Sequence, residues 1–225
     1  MTTRTHLECS RTGARYPVEE PRNGAEGGAP LLVRYDLEAV RRSWNREWLA
    51  SGPGSMWRYA PVLPVAKPGS ITSLGEGWTP LVRARRLGAE LGAEELWLKD
   101  DGVNPTGSFK ARGLSCAISM CRELGIGKVA LGSAGNAASA AAAYAAAAGL
   151  EAHIFMPRDV PQSNYLECMS FGARVTLVDG LISDCGRMVA SKASASLRAP
   201  VTSRSAVIAP ASDSASFPCP HCRTE

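Results

Sequence analysis

Asn104–Gly113 reads Asn-Pro-Thr-Gly-Ser-Phe-Lys-Ala-Arg-Gly, a turn that runs into a lysine. Ser108 stands where a helix N-cap belongs, because apolar residues follow it at the spacing of one buried helix face: Leu114, Ala117, Ile118, Cys121 and Leu124. The pattern therefore places Lys110 in the first turn, where the positive end of the helix dipole disfavours an ammonium and favours the neutral amine. A neutral lysine amine can attack a carbonyl group. The alternative reading is a solvated surface lysine.

A second candidate site is the loop Gly132-Ser133-Ala134-Gly135-Asn136. Its glycines permit a positive φ or a close backbone approach. The loop leads into a predicted helix whose first N–H groups could hold an anion. The eleven alanines between Ala134 and Ala148 are explained by close packing of that helix on a sheet. We predict that Asn136, an amide at the end of this loop, is a ligand-binding residue.

Short apolar strands alternate with helices from residue 95 onward. The strands are expected at 95–100, 128–131, 152–156 and 174–178, with helices between them and a last helix from Ile182. This alternation predicts an α/β fold with a parallel sheet flanked by helices. Ligands of such sheets bind beyond the carboxyl ends of the strands. Because Lys110 and the Ser133–Asn136 loop both follow predicted strands, we expect them at the same rim.

The predicted α/β domain occupies residues 74–190, between two segments of different character. Residues 1–73 form a lead-in with a strand at Leu31–Tyr35 and a helix from Asp36, whose apolar residues are Leu37, Val40, Trp44 and Trp48. Residues 191–218 contain eight Ser, seven Ala and three Pro among 28, a composition typical of disorder. We expect the tail 191–225 to be irregular and unrelated to the domain, as a frameshift or a truncated gene would produce.

Composition excludes several classes of function. A net charge of +4, from 25 basic and 21 acidic residues, is too weak and too dispersed for nucleic-acid binding. The longest apolar run, Ala137–Leu150, is too short to cross a bilayer, and Met1–His6 has no signal-peptide core. We therefore expect a cytoplasmic protein without a membrane partner.

The cysteines and glycines indicate neither a metal site nor a nucleotide site. Seven cysteines scattered through helix-like segments predict reduced, mostly buried thiols. Cys219-Pro-His-Cys222 has the spacing of metal ligands, but no second pair completes a tetrahedral site. Gly125-Ile-Gly127 precedes its strand and Gly127-Lys128 lacks the remainder of a P-loop, so neither predicts nucleotide binding.

Four motifs resemble, in order and spacing, the fold-type-II (tryptophan synthase β-like) pyridoxal-phosphate enzymes, and among them most closely the threonine synthases. The motifs are Leu74–Leu81 (Leu-Gly-Glu-Gly-Trp-Thr-Pro-Leu), Asn104–Gly113, Ser133–Asn136 and Phe155–Asp159. The resemblance implies that the fold is incomplete here, with the second domain largely missing. Relatives carry cysteine pairs in a ribbon-like turn near the N-terminus. Here only Cys9 is present, so no zinc is expected there.

The resemblance also assigns roles to residues. It implies that pyridoxal 5'-phosphate is bound as a Schiff base to Lys110, with Phe109 and Asn136 as further cofactor-binding residues. Asn136 would contact the phenolate oxygen of the cofactor. Ser133, Ala134, Gly135 and Asn136 would hold the carboxylate of an amino-acid substrate. The implied reaction is O-phosphohomoserine plus water to threonine plus phosphate, and a homodimer is expected if the full-length fold forms.

Two departures from the resemblance leave alternatives open. Ala111 and Ala137 stand where many threonine synthases have Asp and a hydroxyl residue, and Lys-Ala-Arg-Gly is equally similar to threonine or serine dehydratases. The glycine-rich loop for the cofactor phosphate would belong to the missing part. A catalytically inactive fragment, or a structural or regulatory relative, is therefore a third possibility.

Overall fold

The computed structural model describes residues 2–22, 24–196 and 205–208 of the 225-residue chain. Within these ranges the strands form a three-stranded antiparallel sheet, a two-stranded antiparallel sheet and a four-stranded parallel sheet. The α/β fold expected from the sequence is confirmed, and the parallel sheet is its centre.

The N-terminal sheet has the strand order β2-β1-β3. Its strands are β1 (Arg4–Cys9), β2 (Arg15–Tyr16) and β3 (Leu31–Tyr35), the last as predicted. The prediction of a single helix from Asp36 is wrong. Two short helices occupy its place: α1 (Leu37–Ser43) and α2 (Arg46–Ser51). Asp36 caps the first by accepting from the N–H of Ala39, and Asn45 caps the second by accepting from that of Trp48. Because Asn45 acts as an N-cap within the predicted apolar pattern, a second helix begins there.

The predicted strand 95–100 exists but belongs to a different sheet from the one expected. It is β5 (Trp97–Lys99), and it pairs antiparallel with β4 (Leu81–Arg83). The helix α3 (Arg85–Glu90) connects the two. Lys110 therefore does not follow a strand of the parallel sheet. Short apolar runs predict strands, but they do not specify which strands will pair.

The parallel sheet has the strand order β8-β7-β6-β9. Its elements alternate with helices along the chain: α4 (Lys110–Glu123), β6 (Lys128–Gly132), α5 (Asn136–Ala148), β7 (Glu151–Pro157), α6 (Gln162–Ser170), β8 (Arg174–Val178), α7 (Ile182–Ser196) and β9 (Ser205–Val207). The predicted strands 128–131, 152–156 and 174–178 are confirmed within a residue or two.

Helices cover both faces of the parallel sheet. Ile154 and Met156 of β7 lie in the core formed with α4, α5 and α6, whereas Phe155 lies in the cluster formed with α7. This alternation is the pleat of a strand that is buried on both faces. Gly132 allows α7 to approach, since a Cβ atom there would lie 3.2 Å from the backbone nitrogen of Gly186.

The boundary predicted at residue 190 lies too early in the chain. Helix α7 continues to Ser196, and β9 pairs in parallel with β6. Ala206 and Ile208 pack against the main core, so a short apolar run lies within a stretch whose average composition is that of a disordered segment. The remainder of the predicted tail, including Cys219 and Cys222, lies outside the described residues.

Five cysteines fall in the described ranges, and all five are free thiols. Cys9, Cys121, Cys168 and Cys185 are buried and Cys116 is partly exposed, which confirms the expectation of reduced thiols for these positions. In the same ranges no cluster of His, Cys, Asp and Glu is arranged to hold a metal ion. None of the helices described is both long and apolar enough to cross a membrane.

Candidate active site

Lys110 is the first residue of α4, and the turn before it is held by a buried amide. Asn104 is 4% exposed; its Nδ2 donates to the carbonyl of Asp101 and its Oδ1 accepts from the N–H of Gly77. Phe109, not Ser108, occupies the N-cap position. The Ser108 hydroxyl nevertheless accepts from the N–H of Lys110 at 3.3 Å, so it satisfies one of the helix's first donors, as expected.

Arg112 fixes the other side of this first helical turn. Its Nε and Nη2 donate to the two carboxylate oxygens of Asp101, at 3.0 and 2.8 Å. Thr79 donates its hydroxyl to the same carboxylate at 2.8 Å. Hydrogen bonds from Arg112 and Thr79 lower the pKa of Asp101 to about 2. This bidentate pair joins the start of α4 to Asp101, which follows β5. Through the hydroxyl of Thr79 it also reaches the segment that precedes β4.

Beneath the site, Glu76 is a fully buried carboxylate surrounded by donors. Trp57 Nε1 lies 2.7 Å and Ser115 Oγ 2.6 Å from Oε1, and the N–H of Leu74 lies 2.9 Å and Tyr144 OH 2.5 Å from Oε2. Burial raises the pKa of Glu76, but the hydrogen bonds from Ser115, Tyr144 and Leu74 outweigh it, so the pKa is lowered. Because Ser115 lies on α4 and Tyr144 on α5, one carboxylate joins both helices.

The Ser133–Asn136 loop connects β6 to α5. The N–H of Ser133 donates to the carbonyl of Phe155 on β7, and Asn164 Nδ2 donates to the carbonyl of Ala134 at 2.8 Å. The N–H of Gly135 lies 3.4 Å from the Ser133 hydroxyl. Gly135 has an extended φ of −160°, so the freedom expected of it is not used. Asn136 is the first residue of α5, with an exposed side chain.

The N-termini of α4 and α5 lie at the same end of the sheet, for a reason the sequence pattern did not supply. Helix α4 precedes β6 and α5 follows it, each through a short connection, so both helices run opposite to β6. Both therefore begin near the carboxyl end of that strand, and they pack side by side. The fold thus brings the ends that carry Lys110 and Asn136 to one rim.

The side chains at this rim are available to a ligand. Lys110 and Asn136 are exposed, and Phe109 is 59% exposed. The Lys110 Nζ lies 4.8 Å from the centre of the Phe109 ring, and within the described ranges it forms no hydrogen bond or ion pair. A free amine, an adjacent ring face and a free amide suit an aromatic aldehyde. No group that would hold a phosphate is evident among the described residues around Lys110.

The residues that support the rim lie outside the set of candidate residues predicted from the sequence. Glu76, Ser115, Tyr144 and the pair Arg112–Asp101 were not singled out. Two features could have indicated them: Glu76 stands between two glycines in a tight turn, and Tyr144 is the sole large residue in an alanine-rich helix. Both features require a polar partner that is distant in sequence.

A family model described as pyridoxal-phosphate dependent enzyme matches residues 72–219. Among curated proteins, a threonine synthase of Methanocaldococcus jannaschii is 37% identical over 182 residues, covering 80% of this chain and 45% of the relative. A threonine synthase of Methanosarcina acetivorans is 34% identical over 186 residues, covering 82% and 45%. The chain thus spans somewhat less than half the length of these relatives.

The solved structures similar to this chain include holo diaminopropionate ammonia lyase of Escherichia coli. It matches with a TM-score of 0.54 and 20% identity, over 62% of this chain and 40% of that one. At this level of identity the match concerns the fold, and it agrees with the layers described above.

Proposed function

The chain belongs to the family of pyridoxal-phosphate dependent enzymes, and from this premise we propose that it contributes the lysine-bearing half of a threonine-synthase-type lyase. The proposed reaction converts O-phosphohomoserine and water to threonine and phosphate. The observation that carries the proposal is the placement of Lys110 and Asn136, both exposed, at the first residues of two adjacent helices. Among the described residues the Lys110 amine has no hydrogen-bond or ion-pair partner. The named relatives support the choice of reaction.

The chemistry of the cofactor is that of an electron sink for a carbanion next to the amino group of the substrate. Lys110 would hold the cofactor covalently and then move a proton between carbons of the substrate, a role that requires a free amine. Asn136 would donate its amide N–H to the phenolate oxygen of the cofactor. The first N–H groups of α5, which have no partner within the helix, would hold the substrate carboxylate.

The supporting residues fix the position of the backbone from which the Lys110 side chain extends. The pair Arg112–Asp101 and the buried Asn104 hold the backbone on both sides of Lys110, while the Lys110 side chain stays free to move. Glu76 holds α4 against α5, which keeps the starts of the two helices in register. None of these residues needs to touch the substrate for the arrangement to work.

We expect Lys110→Ala to abolish covalent binding of the cofactor. Purified protein incubated with pyridoxal phosphate should show the absorption band of a lysine-bound cofactor. Borohydride reduction should then leave the label on the peptide that contains Lys110. Lys67→Ala is the matched control, since Lys67 is an exposed lysine away from the site. Labelling spread over several lysines, or none on Lys110, would refute the proposal.

The reaction is tested separately from cofactor binding. A threonine synthase releases phosphate and forms threonine, whereas a dehydratase consumes threonine. Ala111 stands where many threonine synthases have Asp, and Lys-Ala-Arg-Gly is equally similar to the dehydratases, so the second reaction is the alternative. Consumption of threonine without phosphate release would replace the proposed reaction but retain the role of Lys110.

A further inference from the structure

Asn164 stands in the first turn of α6, where the needs of the helix do not explain it. Asparagine is favoured at an N-cap, but Pro161 occupies that position, and inside a helix asparagine is a weak former. Its side chain instead reaches the loop before α5. The Asn164 Nδ2 donates to the carbonyl oxygen of Ala134 at 2.8 Å, across thirty residues of sequence.

The Ser133–Asn136 loop is held at three points. The N–H of Ser133 donates to a carbonyl of β7, and the carbonyl of Gly135 accepts from an N–H in the first turn of α5. The third point is the bond from Asn164, which acts on the peptide between Ala134 and Gly135. The first two bonds fix the ends of the loop, so Asn164 sets the orientation of its middle peptide.

That orientation turns a backbone donor towards Lys110. The peptide bond between Ala134 and Gly135 is trans, so its carbonyl and its N–H point in opposite directions. The strand order β8-β7-β6 places the helices side by side on one face of the sheet, with α5 between α6 and α4. Because the carbonyl is held towards α6, the N–H of Gly135 faces α4, whose first residue is Lys110.

The N–H of Gly135 is only weakly bonded in this arrangement. Its partner is the hydroxyl of Ser133 at 3.4 Å, longer than the usual N–H···O distance. A carboxylate accepts shorter, charge-assisted hydrogen bonds of about 2.7–2.9 Å. A carboxylate at the rim would therefore displace the hydroxyl from this N–H.

We propose that Asn164 is a positioning residue for the carboxylate of the amino-acid substrate. It does not touch the substrate. It holds the middle peptide of the loop so that the N–H of Gly135 donates to the carboxylate, beside the first N–H groups of α5. The inference rests on the proposed function, because it takes the Ser133–Asn136 loop as the carboxylate site. It holds for either reaction, since a synthase and a dehydratase both bind an amino-acid carboxylate.

The test observes the amide of Gly135 in the full 225-residue chain without cofactor. Labelling with nitrogen-15 glycine makes the glycine amides visible by NMR, and Gly135→Ala identifies the resonance by its loss. This substitution fits, since the φ of Gly135 is extended and no atom lies within 4 Å of the position of its Cβ. We expect the resonance to shift and saturate with L-threonine. It should not move with L-threoninol, which lacks the carboxylate.

Asn164→Leu keeps the approximate size of the side chain and removes the donor. We expect the affinity for L-threonine to fall about fivefold, the effect of one lost hydrogen bond. Asn164→Asp, which also has no N–H to donate, should lose at least as much, and it decides the test if circular dichroism shows the leucine variant to be unfolded. Gln162→Leu is the matched control, an exposed amide in the same helical turn, and it should leave the affinity unchanged.

Two results would overturn the assignment. One is an unchanged affinity in the folded Asn164 variants, and the other is a Gly135 resonance that L-threonine does not move in the wild type. Both are measured without cofactor, so neither depends on Lys110. Failure of the cofactor to label Lys110 is a separate result, which refutes the proposed function and leaves the role of Asn164 in carboxylate binding standing.

Discussion

Glu76 has no exposed surface and receives hydrogen bonds from four groups that lie far apart in the sequence. A buried carboxylate is costly unless all of its oxygens are satisfied. Here Trp57, Ser115 and Tyr144 supply side-chain donors and Leu74 supplies a backbone donor. Burial and the hydrogen bond to Glu76 raise the pKa of Tyr144, so the phenol stays protonated as the donor. Glu76 therefore organises the contact between α4 and α5 beneath the rim.

We expect Glu76→Gln to destabilise the chain by roughly 2 kcal/mol, because the amide –NH₂ would face a donor and leave a buried group unsatisfied. The free energy of unfolding from urea titration measures this. Glu47→Gln, at an exposed position on α2, is the control and should change stability by less than about 0.5 kcal/mol. Equal stability of both variants would contradict the assigned network.

The pair Arg112–Asp101 predicts a pH dependence of stability. The pKa of Asp101 in the folded chain is about 2, against an ordinary value of 3.8. Because the folded pKa is the lower one, this contribution is complete above the ordinary value and is lost as the pH falls through about 2. As the pH falls from the ordinary pKa of 3.8 to about 2, we expect Asp101→Asn and Arg112→Gln each to lose less stability than the wild type.

Unfolding by urea at successive pH values between 5 and 2 checks this expectation. The difference in unfolding free energy between the wild type and Asp101→Asn should be largest at the upper end and should shrink towards the lower end. A difference that is constant with pH would show that the ion pair does not set the pKa of Asp101.

The turn at Leu74–Leu81 contacts two segments that are distant in the sequence, one at Met56 and one at Asn104. Gly77 has a φ of +93°, and a Cβ atom there would lie 2.4 Å from the backbone nitrogen of Met56. The N–H of Gly77 donates to Asn104, in the turn that precedes Lys110. The turn therefore lies directly against the backbone of Met56, with no room for a side chain at position 77.

We expect Gly77→Ala to destabilise the chain by at least about 2 kcal/mol, through strain at positive φ and through the clash with Met56. Gly75→Ala separates the two causes. Gly75 has the same φ of +93°, but no atom lies within 4 Å of the position of its Cβ. Thermal unfolding should therefore rank the two variants, with Gly77→Ala the less stable. The reverse order would exclude the clash.

At the scale of the whole molecule, the N-terminal sheet is attached to the α/β domain through a buried ion pair. Arg4 on β1 lies 2.7 Å from Glu123 at the end of α4, with side-chain exposures of 8% and 4%. Glu123 also accepts from the backbone N–H groups of Ala66 and Lys67. Burial raises the pKa of Glu123, but the hydrogen bonds from these two N–H groups and the charge of Arg4 lower it by more. The net shift of the pKa is therefore downward.

We expect Arg4→Ala to cost about 3 kcal/mol, because it leaves the buried carboxylate of Glu123 without its charge partner. Hydrogen exchange should accelerate in β1 and at the end of α4 together. Arg41→Ala, which removes a partner from an exposed pair with Glu38, should change stability by less than about 0.5 kcal/mol. Loss of protection in β1 alone would show that the sheet is held by other contacts.

Much of the fold could be predicted, because its elements are local. The strands β6, β7 and β8 and the helices between them follow from short apolar runs and helical spacing, which depend on neighbouring residues. The candidate site followed in the same way, since Lys110 and Asn136 each stand where a helix begins. The boundary at residue 190 was misplaced because a composition averaged over 28 residues conceals the short run Ala206–Ile208.

By itself the sequence determined the strands and helices between residues 110 and 178, and which two residues stand at the helix starts. The tertiary structure alone decided that β5 pairs with β4 and not with the parallel sheet, and that Trp57, Glu76, Ser115 and Tyr144 meet in one network. The physical reason is that strand pairing and burial of a charge depend on groups distant along the chain. Periodicity carries no information about such partners.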